Sequence, residues 1–168
     1  MDALTLRSLQ APLKAQYREN PESAVVTHHG NGILAEDVTC LVETSIGTVT
    51  AGLNAAAGGI GNHACSGDML LQALAACAGV TMNAVATALE ILLRKAEIKA
   101  SGEIDFRGTL GVDKTAPVGF RNIRLEFVLD TDAPQEKIDS LIKLTERYCV
   151  VFQTLNHKPE MTVSHTRE

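Results

Sequence analysis

Four cysteines, Cys40, Cys65, Cys77 and Cys149, and five histidines, His28, His29, His63, His157 and His165, carry most of the reactive chemistry in this chain. A thiol can pack as a small hydrophobe, ligate a metal, or attack an electrophile as its thiolate. Metal ligation draws some support from His63 and Cys65 standing two positions apart, and from the adjacent pair His28 and His29. Structural zinc sites, however, take their ligands from tight pairs such as C-x-x-C or H-x-x-x-H, and the sequence contains none. It also lacks a G-x-S-x-G elbow and an H-E-x-x-H helix. The glycine-rich "GGIGN" matches neither phosphate-binding fingerprint, and no buried parallel strand precedes it. No metal or organic cofactor is expected. Packing and thiolate chemistry remain open for each cysteine.

Cys77 lies in a segment, Met69 to Leu89, with no charged side chain. Its length suffices to cross a membrane. Many of its residues are Ala, Gly, Thr, Asn or Gln, however, and Asp68 and Glu90 flank it. A helix apolar on every side can instead be enclosed by protein, which is the reading adopted here. Ser66 is the expected N-cap, and Asp68 in the first turn suits the positive end of the helix dipole.

The elements around this helix follow from their periods. Leu6, Leu9, Leu13 and Tyr17 recur at helical spacing, and Pro12 suits the first turn of a helix over 11–19. "SAVVTHHGNG" reads as a strand ending in a glycine turn, followed by strands "DVTCLVET" and "GTVTAGLN" joined tightly around Ser45 and Gly47. After the central helix, Ile98, Ala100, Ile104, Phe106 and Leu110 alternate with polar residues, which predicts a half-buried strand. Ile123, Leu125, Phe127 and Leu129 predict its partner, with "KTAPVG" turning between them. Ile138, Leu141, Ile142 and Tyr148 mark an amphipathic helix capped at Asp132, with Pro134 in its first turn. Cys149 ends that helix, a short helical piece covers 149–155, and "EMTVSH" predicts a closing strand. Antiparallel hairpins separated by helices make an α+β domain rather than a βαβ nucleotide-binding fold.

Bulk properties narrow the function classes. The 168 residues suit one domain, 1–168, with 1–20 as an N-terminal helical extension. Hydrophobic residues make up 45% and charged ones 21%, a balance that argues against disorder. A net charge of −5 without a long basic run, and without Trp, excludes an expected nucleic-acid partner. The first twenty residues lack a basic segment leading into a long apolar one, so no signal peptide is expected. Four cysteines without a dense framework suggest a reducing compartment, the cytoplasm.

"SGDMLLQALAACAGVTMNAVA" (66–86) resembles the central-helix signature of the OsmC/Ohr family of thiol-dependent hydroperoxide reductases, P-x-E-L-L-x-A-A-L-A-A-C, with Cys77 in the place of its reactive cysteine. "ERYCVVFQTL" occupies the place of the family's second cysteine element, C-P-[VY]-S, and puts Cys149 there. The resemblance implies an OsmC-like fold with antiparallel sheets and a buried central helix. It also implies an intertwined homodimer whose second copy covers that helix. It further implies attack by the Cys77 thiolate on an organic hydroperoxide, resolution by Cys149 as a disulfide, and reduction by an external dithiol.

The chain departs from that pattern at several points. Family members commonly supply an activating Arg from the turn after the first strand, where this chain has His28 and His29; Arg18 is the nearest alternative. Asp68 replaces the family's Glu. It lies nine residues before Cys77, about 900° of rotation at ~100° per residue, and so on the opposite helix face. Cys149 lacks the following Pro. Cys65, in the loop before the helix, is an alternative resolving thiol. A rival reading keeps the same dimer as a module that binds a small apolar or electrophilic ligand with little turnover, and another leaves the cysteines as packing groups.

Overall fold

The computed structural model describes residues 1–167. Helix α1 (Ala3–Glu19) begins where the Asp2 carboxylate accepts from the Thr5 N–H at 2.7 Å. This cap starts the helix eight residues ahead of the expected position and leaves Pro12 inside it. Only the first half of α1 lies against the rest of the chain: Ala3 is buried, and Arg7 reaches the Ala88 carbonyl. Residues 11–19 are exposed throughout.

The expected strand over 23–32 is displaced. A 3-10 turn (Pro21–Ala24) and an irregular run precede β1 (Gly32–Ala35), which pairs antiparallel with β2 (Thr39–Thr44). β-branched residues favour an extended backbone, but a strand also needs a partner, and the register with β2 begins only at Gly32. β2 and β3 (Gly47–Gly52) form the expected hairpin, with Thr44 opposite Gly47. The two-residue β4 (Ala64–Cys65) adds to β3 in parallel, so this sheet, ordered β1-β2-β3-β4, is mixed rather than purely antiparallel.

Helix α2 (Ser66–Ala88) follows at once, with Cys65 rather than Ser66 at the N-cap. Leu74, Ala78, Met82 and Ala86 form its buried stripe, one residue per turn. That stripe packs on a two-stranded antiparallel sheet, β5 (Lys95–Glu103) and β6 (Arg121–Asp130), whose inward residues Ile98, Ala100, Leu125, Phe127 and Leu129 alternate as expected. α2 is not enclosed on every side by its own chain: Val80 is 73% exposed and Leu70 39%. α2 is long and apolar enough to cross a membrane by length and composition alone; in this fold one face lies on β5, β6 and the C-terminal helices.

The expected strand over 98–110 stops at Glu103. Asp105 accepts from the Arg107 N–H at 3.1 Å and caps a single turn, α3 (Phe106–Thr109), so Phe106 and Leu110 leave the strand pattern. Helix α4 (Gln135–Tyr148) is capped by Pro134, not Asp132. Asp132 is drawn instead to Arg94, which also donates from Nε to Asp130 at 2.9 Å. Helix α5 (Val150–Asn156) follows directly. Residues 160–165 form no strand within this chain.

Candidate active site

Cys77 sits in the middle of α2, and Cys149 forms the joint between α4 and α5, serving as C-cap of one and N-cap of the other. Its extended backbone (φ −75°, ψ 104°) turns the chain between the two helices. The joint is held from both sides. The Cys149 N–H donates to the Thr145 carbonyl at 2.9 Å, and its carbonyl accepts from the Gln153 N–H at 2.9 Å. The Gln153 side chain also donates to the Glu146 carbonyl at 2.8 Å, tying α5 back to α4. Thr145 is fully buried, its hydroxyl satisfied by the Leu141 carbonyl at 2.7 Å.

The fold brings Cys77 and Cys149 together, although 72 positions separate them in sequence (149 minus 77). Cys149, Leu74 and Ala78 form one buried cluster, against which Cys77, Ile98, Ala100, Leu125, Phe127, Val151 and Phe152 pack. Cys149 is 0% exposed, whereas Cys77 is half-buried. Both are free thiols.

Their electrostatic settings differ in sign. Burial alone pushes the Cys77 thiol up. The donors gathered around its sulfur outweigh that effect: the Val151 N–H, the Cys149 thiol, the Val150 N–H and the Thr81 hydroxyl together hold it below its ordinary range. Burial likewise pushes Cys149 up; the Phe152 N–H acts against this, while the neighbouring Cys77 adds to the rise. The pair thus favours a thiolate at Cys77 and a protonated thiol at Cys149. A thiol shifted toward its thiolate beside a protonated one is an arrangement that thiol–disulfide chemistry can use.

The remaining candidates lie elsewhere. Cys65, at the start of α2, is twelve residues from Cys77, about 18 Å along the axis at ~1.5 Å per residue. The Asp68 N–H and the Asn54 amide, 3.6 Å from its sulfur, hold Cys65 below the ordinary thiol range. Asp68 is exposed in the first turn of α2. Arg18 is exposed in the last turn of α1 and forms no ion pair among the described residues. His28 and His29 are exposed in the irregular run before β1. No group of three or more His, Cys, Asp or Glu suited to a metal ion occurs among the described residues. The backbone donors of Val150 and Val151 had no signal in the sequence; Thr81 had one, since it stands four residues after Cys77 on the same helix face.

An α+β fold with a helix-borne thiol facing a second thiol at a helix joint defines a two-cysteine site of recognisable class. A family model described as OsmC-like protein matches residues 59–164, well over half of the chain. The chain belongs to that family. No curated protein matches it in sequence. Among solved structures, an OsmC-like protein from Mycoplasma pneumoniae is similar with a TM-score of 0.66 and 21% identity, covering 79% of this chain and 89% of that one. An organic hydroperoxide resistance protein from Elizabethkingia anophelis matches with a TM-score of 0.62 and 13% identity over 79% of this chain and 91% of that one. An organic hydroperoxide resistance protein OsmC from Legionella pneumophila gives 0.61 and 16% over 79% and 93%. At these identities the likeness establishes the fold.

Proposed function

We propose that this chain is a thiol-dependent peroxidase that reduces organic hydroperoxides, with Cys77 as nucleophile and Cys149 as resolving thiol. The packing of the half-buried Cys77 against the buried Cys149 carries this reading, and the opposite shifts of the two thiols support it. The Cys77 thiolate forms a bond to the distal peroxide oxygen as the O–O bond breaks. The alkoxide leaves and takes a proton to become the alcohol, and Cys77 is left as a sulfenic acid. The Cys149 thiol then condenses with it, giving a disulfide and water. An external dithiol restores both thiols by exchange, itself becoming a disulfide. Leu74, Ile98, Leu125, Phe127 and Phe152 around the pair favour alkyl or acyl peroxides over hydrogen peroxide. The hydroperoxide-resistance names of the Elizabethkingia and Legionella structures agree with a redox role.

The working unit in this reading is an intertwined homodimer in the cytoplasm. Ile33 (62% exposed) and Leu34 (88%) lie on the outlying sheet, and the outer face of α2 is open around Val80. Exposed apolar residues on both elements call for cover, and in this reading a second copy supplies it on α2 and on the β1–β3 sheet.

Steady-state consumption of cumene hydroperoxide with dithiothreitol as reductant tests the activity. Turnover that Cys77→Ser abolishes and that Cys149→Ser slows, its sulfenic acid now waiting on dithiothreitol, supports the proposal. A ligand-binding module is the second reading, favoured by the exposure of Arg18, His28 and His29, which leaves the family's activating cation without a counterpart at Cys77. Slow stoichiometric modification without turnover would establish that reading instead.

A further inference from the structure

We propose that Gln153 is a positioning residue for Cys149, its side-chain amide latching the break between α4 and α5 so that the resolving thiol stays packed with Cys77. The inference rests on the pairing of Cys77 with Cys149 proposed above. In an unbroken helix the Glu146 carbonyl would accept from the Val150 N–H four residues on. Cys149, with its extended backbone, breaks the helix between them, and among the described residues Val150 makes no such bond. The Glu146 carbonyl is thus one of those that a helix end leaves without a partner. The Gln153 amide takes it at 2.8 Å.

Gln153 grips the joint twice. Its backbone N–H donates to the Cys149 carbonyl at 2.9 Å, and its side chain reaches back past Cys149 to Glu146. Among the described residues, no other side-chain hydrogen bond crosses from α5 to α4. Val151 and Phe152, immediately before Gln153, pack into the cluster of Leu74, Ala78 and Cys149, where Cys77 also packs. An apolar contact therefore fixes α5 against α2, and one polar tie fixes it against α4. Without the tie, the Glu146 carbonyl can recapture the Val150 N–H and fuse α4 with α5, or α5 can pivot on its apolar contacts. Either shift moves Cys149, which lies at the pivot. Two thiols held side by side react as if at high concentration, and that advantage falls when one of them wanders.

The test has two readouts in the full-length protein. The first is the rate at which iodoacetamide alkylates Cys149 in the reduced protein, read by mass at its peptide; a 0% exposed thiol reacts only when the joint opens. The second is the fraction of Cys77–Cys149 disulfide at equilibrium with reduced and oxidised dithiothreitol. There the two thiols form one S–S bond and pass two electrons and two protons to the cyclic disulfide. Gln153→Met removes the donor at similar size, Gln153→Glu offers a carboxylate that only accepts, and Gln153→Lys keeps a donor for the last carbonyls of α4. Gln153→Met and Gln153→Glu are expected to speed Cys149 alkylation about fivefold and to lower the disulfide equilibrium constant about fivefold. Gln153→Lys stays within about twofold of wild type, as does Cys40 alkylation in every variant. Wild-type shielding of Cys149 in Gln153→Met, a disulfide constant that Gln153→Met leaves unchanged, Gln153→Lys as reactive as Gln153→Met, or a parallel rise at Cys40 would each overturn the assignment. A wild type that forms no Cys77–Cys149 disulfide while Gln153→Met exposes Cys149 refutes the peroxidase reading alone. A wild type that forms it while Gln153→Met keeps Cys149 shielded refutes this proposal alone.

Discussion

Cys149 is wholly buried at the α4–α5 joint and packs with the half-exposed Cys77 of α2, and the two thiols are displaced from ordinary behaviour in opposite directions. The half-buried Cys77 is shifted toward its thiolate and the buried Cys149 toward its protonated thiol. In the proposed reaction this asymmetry would set the order of events, Cys77 meeting the peroxide before Cys149 resolves it.

The coupling between the two is reciprocal and can be read by titration. Cys149→Ala removes one donor from the Cys77 thiolate and should raise the Cys77 midpoint; Cys149→Ser, which keeps a donor, should raise it less. Cys77→Ser removes the neighbouring group that helps hold Cys149 up and should lower the Cys149 midpoint. Thiolate absorbance at 240 nm against pH measures all three. Midpoints that fail to move in these variants would mean that the thiols do not sense each other.

The β1–β2 turn offers a stability test remote from the site. Asp37 (φ 55°) and Val38 (φ 59°) both adopt the left-handed region, closed by the Thr39 N–H donating to the Glu36 carbonyl at 3.2 Å. A two-residue turn of this kind favours Asn-Gly or Asp-Gly, and a β-branched residue is strained there. Val38→Gly should stabilise the fold by about 1 kcal/mol, and Val38→Ile should not. Urea unfolding gives the comparison.

Self-association is the third expectation. Val80 on α2 and Leu34 on β1 are 73% and 88% exposed in the single chain. Sedimentation equilibrium should give about twice the chain mass for the wild type. Val80→Glu and Leu34→Glu should each shift the population toward monomer, because a buried unpaired carboxylate is costly at an interface. A wild-type protein that stays monomeric at high concentration would remove the homodimer from the account.

Particular residues show how far the sequence alone could be read. The α2 helix was legible because an uncharged run containing Cys77 follows directly on Asp68, and β5 and β6 because Ile98, Ala100, Leu125, Phe127 and Leu129 keep a strict period of two. Some of the misplacements turn on distant partners and others on local caps. Val25 and Val26 favour extended backbone but have no neighbouring strand among the described residues, so the ladder starts at Gly32. Asp132 could cap α4 by position alone, yet Arg94, in the bend just before β5, draws it away. Asp105 ends β5 in mid-pattern through its own local cap. At the site, the pairing of Cys77 with Cys149 was suggested by family resemblance. The Val150 and Val151 donors were invisible because backbone N–H groups carry no residue identity, and only the packing of α5 on α2 brings them to the sulfur.

The most direct measurement is a disulfide map of the reduced protein after one equivalent of cumene hydroperoxide, by peptide mass analysis without reduction. The account predicts a Cys77–Cys149 linkage within one chain, loss of two thiols per chain, and Cys40 and Cys65 still free. A map in which Cys77 remains a thiol, or links to Cys65 while Cys149 stays reduced, would contradict it.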